Sequence, residues 1–151
     1  MKRLPPACLR LLASLALGLL PAASRAELPP WVYGQEQRQA PYVLELLVRS
    51  VHSNATVAQP QRLEVWAQVL EVKRQPAGAR LKPGDRIRLS YALPQARPQG
   101  WVGPSPLPLL EPGEHLPAWL APDPDRSGSY QPAAGGRSFG PSMETVVEPS
   151  S

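Results

Sequence analysis

"LKPGDRIRLSY", residues 81–91, is the stretch whose reading decides the fold of this 151-residue chain. Lys82-Pro83-Gly84-Asp85 puts proline and glycine at the two central positions of a type II turn, where proline presets the first φ and glycine accepts the positive second one. The residues that follow alternate: Ile87, Leu89 and Tyr91 fall on one side, Arg86, Arg88 and Ser90 on the other. That is the two-residue period of a half-buried strand. A turn that launches a strand, with basic side chains on its solvent face, is the unit from which the rest of the chain is read.

Upstream, "RLEVWAQVLEVKR" at 62–74 carries the same period, with Leu63, Val65, Ala67 and Val69 on one face. Leu70 and Val72 then fall out of phase, which predicts a β-bulge or sharp bend at 69–71. "YVLELLVRSV" at 42–51 is a further strand by its aliphatic and β-branched content. Downstream, Glu111-Pro112-Gly113-Glu114 repeats the proline-glycine turn and leads into "HLPAWLA", a strand that Pro117 marks as an edge. Short β pieces are expected around Tyr130 and at residues 137–140. Five or six strands with proline-rich loops predict an all-β chain, a small OB-like β-barrel or a sandwich, over residues 42–140. Residues 27–41, with prolines at both ends and no apolar periodicity, read as a leader, and residues 141–151 as a flexible tail.

The first 26 residues have the pattern of an export signal: Lys2, Arg3 and Arg10, then the apolar run Leu11–Leu20, then Ser24-Arg25-Ala26. Cleavage is expected before Glu27, which places the mature domain in the periplasm or outside the cell without a membrane span. Lys2, Arg3, Arg10 and Arg25 carry the whole formal excess of +4, so twelve basic side chains face twelve acidic ones in the remainder. The basic isoelectric point thus gives no reason to expect nucleic acid as a partner. Cys8, the single cysteine, leaves with the signal, which removes disulfides and thiolate chemistry from the exported domain.

The segments "VWAQVLEVKR", "LKPGDRIRLSY" and "LLEPGEHLPAWL" resemble the OB-like barrels of the netrin and tissue-inhibitor-of-metalloproteinase type: a strand, a turn-initiated strand, then a glycine turn into an apolar strand. The resemblance spans about 60 residues and implies a closed barrel. It departs from that family at the predicted mature terminus, where Glu27 stands in place of the zinc-chelating cysteine, so protease inhibition is not carried over. The chain also resembles small exported proteins of photosynthetic bacteria that share segments like "LKPGDRIRxxY", "GWVGPxPxPxL" and "YxPAAxGxSF"; that likeness implies no activity.

Within residues 72–97, Lys73, Arg74, Arg80, Lys82, Arg86, Arg88 and Arg97 face Asp85 alone. Such segregation predicts either a basic face for an acidic partner or an ordinary solvated β surface with cross-strand pairs. Trp101, in "GWVGPSPLPLLEPG", either caps the barrel or stands out as a platform. Asp123-Pro124-Asp125-Arg126-Ser127-Gly128 resembles the first half of a calcium loop, but Ala134 occupies the position of the bidentate glutamate, and a tight acidic turn is expected instead. His52 and His115 are too few for a zinc site without cysteine. No nucleophile elbow and no phosphate-cradling glycine loop is present. The expectation is an exported, non-catalytic binding module without cofactor, metal or catalytic residues, its candidate surface being the seven basic residues and Trp101. The alternatives are a divalent-metal hydrolase using His115 with Asp123 or Asp125, and a purely structural envelope protein.

Overall fold

A computed structural model describes residues 27–54, 61–93, 99–100 and 103–150. The expected export signal at 1–26 therefore lies outside the described residues. Five strands close into a barrel in the order β1-β2-β3-β5-β4. They are β1 (Tyr42–Asn54), β2 (Arg62–Arg74), β3 (Arg86–Ala92), β4 (His115–Pro122) and β5 (Ser129–Pro132). All neighbouring pairs are antiparallel except β3 with β5. The chain is all-β with little helix, and the closed five-stranded barrel is compatible with an OB-like one.

The two-residue period decides what fills the barrel. Leu44, Leu46 and Val48 of β1, Leu63, Val65, Ala67 and Val69 of β2, and Ile87, Leu89 and Tyr91 of β3 all point inward and are buried. Ala118 and Leu120 of β4 join them, and Phe139 closes one end against Tyr91, ring centroids 5.8 Å apart. The Tyr91 hydroxyl donates to the Pro108 carbonyl at 2.8 Å, and burial pushes its phenol far above the ordinary range.

The bend expected at 69–71 is a bulge. Glu45 pairs with Glu71 and Leu46 with Val69, so Leu70 is skipped and turned out to solvent. Two more register shifts, between Val43 and Leu44 and between Val48 and Ser50, curve the 13-residue β1 and β2 far enough to serve a closed barrel.

The two proline-glycine turns are one device used twice. Gly84 and Gly113 sit at φ +94° and +93°, and the acid closing each turn accepts the backbone N–H of its first residue, Asp85 from Lys82 and Glu114 from Glu111. Each turn then extends a ladder. Gly84 N–H donates to Val69 O and Val69 N–H to Asp85 O, while Gly113 and Glu114 make the same exchange with Val48.

Pro117 behaves as an edge proline although the barrel is closed. Trp119 directs its N–H to Ser138 O and its carbonyl to Ala133 N, on the side of β4 away from β1. Pro117, two residues earlier, faces that same side, and β5 reaches only Leu120–Pro122. Its missing donor therefore breaks no ladder bond. The short β pieces expected downstream are β5 and an isolated bridge between Ala118 and Phe139; between them lies a 3₁₀ turn, Gly135–Arg137.

The region read as an irregular leader holds an unforeseen α-helix, α1 (Pro30–Gln39). Pro30 fits the first helical turn, where its absent N–H would have had no partner, and Ala40, just before Pro41, is already extended. The prolines noted at both ends of the segment delimit the helix. Its docked positions are Tyr33, Gly34 and Gln37, of which only Tyr33 is a large ring, so the sequence shows no amphipathic stripe. The helix docks against the 3₁₀ turn and the tail segment at 141–146, and just past its end Ala40 joins Val43, Trp119 and Ala134 in a second small core.

Near this core, Glu36 has a carboxylate oxygen that is buried and without a hydrogen-bond partner, and burial holds its pKa above the ordinary value of 4.5. The folded chain holds this proton more tightly than the unfolded one, so stability falls as pH rises from 4.5 through the raised folded value. Glu36→Gln is expected to raise the melting temperature at pH 7. At pH 4, where both states are largely protonated, the change should nearly vanish. Circular-dichroism melts at the two pH values check this, and an equal shift at both would show that the carboxylate is not the cause.

Candidate functional site

On the outer face of β2 and β3 the alternation that buries Leu63, Val65 and Ala67 turns Arg62, Glu64 and Trp66 outward. The register sets Trp66 directly opposite Arg88, with Arg86 two pairs along on the same face, opposite Gln68. Both guanidinium carbons lie over the Trp66 ring, at 5.6 Å for Arg86 and 5.8 Å for Arg88. Each contact of this kind at an exposed site contributes about 0.5–1 kcal/mol. Their larger effect is to hold two long side chains in place. Arg88 is held further by Nε–H donating to Ser129 Oγ at 2.7 Å, and Ser129 is itself buried.

Two more arginines complete the patch from distant parts of the chain. Arg62 donates to Ser90 Oγ at 3.1 Å, which accounts for the burial of a serine on the solvent side of β3. Arg126 comes from the loop after β4 and lies 3.4 Å from Glu64, whose other oxygen is 3.9 Å from Arg88. Arg62 Nη2 is 4.0 Å from Asp123 Oδ2, an electrostatic contact only, since that oxygen has no hydrogen-bond partner. Four guanidiniums thus meet two carboxylates, and among the described residues Arg86 has no acidic partner. The patch keeps a net positive charge and one cation free to act on a ligand.

The seven basic residues of 72–97 do not share one surface. Arg86 and Arg88 belong to the patch around Trp66. Lys82 is exposed in the turn before β3 and Arg80 is exposed in the loop preceding it. Lys73 is paired with Glu45 at 2.5 Å. Arg74 is bound into the fold: Nε–H donates to Ala40 O, Nη2 to Gln37 O and Nη1 to Glu144 Oε1, so it caps the last carbonyls of α1. Arg97 and Trp101 lie outside the described residues. Trp66, Arg62 and Arg126, which the sequence reading did not select, are the patch members supplied by register and loop closure. The signal for Trp66 was present, because the phase that buries its neighbours directs it outward.

The acidic loop folds on itself as a turn, leaving Asp123 Oδ2 buried without a hydrogen-bond partner. Asp125 N–H donates to Asp123 Oδ1 at 2.9 Å and Arg126 N–H to Asp123 O, the geometry of an Asx turn. His115 opens β4 and Asp123 follows its end, so eight strand residues hold them roughly 25 Å apart. His115 instead meets Glu45 at 3.3 Å. The pairing of His115 with Asp123 or Asp125 that a hydrolase would need is therefore not formed. Among the described residues no group of three or more His, Cys, Asp or Glu is gathered to hold a metal ion.

The fold and this patch define a class, a closed five-stranded β-barrel with an arginine-tryptophan cluster on one outer face. No protein-family model matches the chain, and no curated protein matches it.

Proposed function

We propose that this protein is an exported, non-catalytic binding module whose β2–β3 face takes an acidic partner in the envelope or outside the cell. The observation that carries the reading is the Trp66 ring with Arg86 and Arg88 both laid over it, beside a loop that adds Arg126. A guanidinium already ordered on an aromatic ring loses less freedom when it meets a carboxylate, sulfate or phosphate, and its planar fork suits such groups. Barrels of the OB type use the strand 2–3 face and the loops after strands 1 and 4 for oligosaccharides and oligonucleotides, an analogy of fold that agrees with the placement. An exported domain favours the acidic-glycan side of that pair.

The test is a titration of the purified protein with polygalacturonate and with a sulfated glycan. Wild type is expected to bind at least one of the two saturably, and to lose affinity as salt rises. Arg86→Ala, which touches no buried group, should weaken that binding about three- to tenfold while lowering the melting temperature by no more than a few degrees. Trp66→Ala should weaken it while leaving the salt dependence intact, since it removes the platform and not the charges. Binding that ignores salt and both substitutions would overturn the proposal, and absence of any saturable binding would favour a purely structural envelope role.

A further inference from the structure

Away from the Trp66 patch, the outer faces of β1, β4 and the end of β2 line, with the tail, a half-open cavity of about 400 Å³. That is within the roughly 300–1,000 Å³ of small-molecule sites. Its apolar wall is Val43, Pro117 and the side of Trp119, and its polar rim is Glu45, Lys73, Arg74 and Glu144. Lys73 is neutralised by Glu45, so the cation that decides the cavity's charge is Arg74. Two of the Arg74 nitrogens are committed to the helix carbonyls of Gln37 and Ala40, which aims the fork; the third partner is the Glu144 carboxylate, at 2.7 Å.

Glu144 arrives on a segment strapped to α1 and not on the barrel. Met143 N–H donates to Gln37 Oε1, and Arg38 Nη1 donates to the carbonyls of Glu144 and Val146. The strap lies so close to the helix that a Cβ on Gly34 would come within 2.4 Å of Met143 O. With Glu144 in place the rim is neutral; with the strap swung out, the rim keeps one uncompensated positive charge beside an apolar wall.

We propose that this cavity is a binding site for a small amphipathic monocarboxylate, and that Glu144 occupies the carboxylate position until such a ligand displaces it. One negative charge restores the neutrality that Glu144 supplies. Pro117, with the small exposed edges of the otherwise buried Val43 and Trp119, accepts an apolar or aromatic body of a few carbons. The site is separate from the β2–β3 face, and its test does not depend on what binds there.

The experiment is a titration of the purified protein with phenylacetate, followed by ¹H–¹⁵N NMR at the Trp119 indole and the Arg74 Nε–H, with neutral phenylacetamide as control. Phenylacetate should shift both signals saturably, and the amide should bind at least about tenfold more weakly. Glu144→Gln removes the internal competitor and should tighten phenylacetate about tenfold if the strap is closed nine-tenths of the time. Gly34→Ala, a helix-favourable change that collides only with the strap, should move the affinity in the same direction. Arg74→Lys, which keeps the charge but loses the fork, should weaken it. The proposal is overturned if neither wild type nor Glu144→Gln gives saturable shifts, if the amide binds as well as the acid, or if Glu144→Gln and Gly34→Ala leave the affinity unchanged.

Discussion

Replacing Leu89 by alanine is expected to cost the fold about 2–5 kcal/mol, the range for emptying a well-packed aliphatic site. Leu89 is fully buried at the middle of β3, pairs with Val65 on one side and with Tyr130 on the other, and lies in the main core. A cavity there faces the barrel interior, which is closed on all sides and collapses poorly. The adjacent arginines provide the contrast on the same strand. Arg86→Ala with Arg88→Ala should cost less, about 1–2 kcal/mol: two exposed contacts with Trp66 are lost and the buried Ser129 hydroxyl loses its Arg88 donor. Urea unfolding of the two variants measures the difference. A Leu89→Ala protein as stable as wild type would mean that β3 is not a core strand. A double arginine variant that fails to fold would mean that the basic patch is part of the structural framework and not a free surface.

Gln37→Ala is expected to have the second large effect, about 2–4 kcal/mol. Gln37 is fully buried, and its amide joins three segments that are distant in sequence. Nε2–H donates to Arg137 O at 2.8 Å, and Oε1 accepts from Met143 N–H at 2.6 Å. Truncation leaves a carbonyl of the 3₁₀ turn and an amide of the tail without partners in a site that water reaches poorly, at about 1–3 kcal/mol for each buried group left unsatisfied. Because α1, the turn and the tail are held through this one side chain, the loss should be local before it is global. Hydrogen exchange should show the Met143 amide losing protection in Gln37→Ala while Val65 and Leu89 in the barrel keep theirs. Unchanged protection at Met143 would show that Arg38 and Arg74 hold the tail without Gln37.

What the sequence by itself determined is the local part of this molecule. Turn chemistry placed Gly84 and Gly113 at positive φ and so located the starts of β3 and β4. The two-residue period assigned Ile87, Leu89 and Tyr91 to the interior, and the phase break at Leu70 located a bulge. These features depend on neighbours a few residues apart, and a linear pattern records such neighbours. The tertiary structure alone decided which strands meet, because nothing local says that β5 joins β3 in parallel and so closes the barrel. It alone revealed α1, whose small docked face has meaning only against the 3₁₀ turn and the tail. It also divided a run of basic residues that is continuous in sequence. Glu45, Glu144 and the helix carbonyls claim Lys73 and Arg74, while Trp66 gathers Arg86 and Arg88 on another face. The physical reason is that a charge acts on whatever lies within a few ångströms of it. For long side chains on a closed barrel those neighbours come from strands and tails tens of residues away.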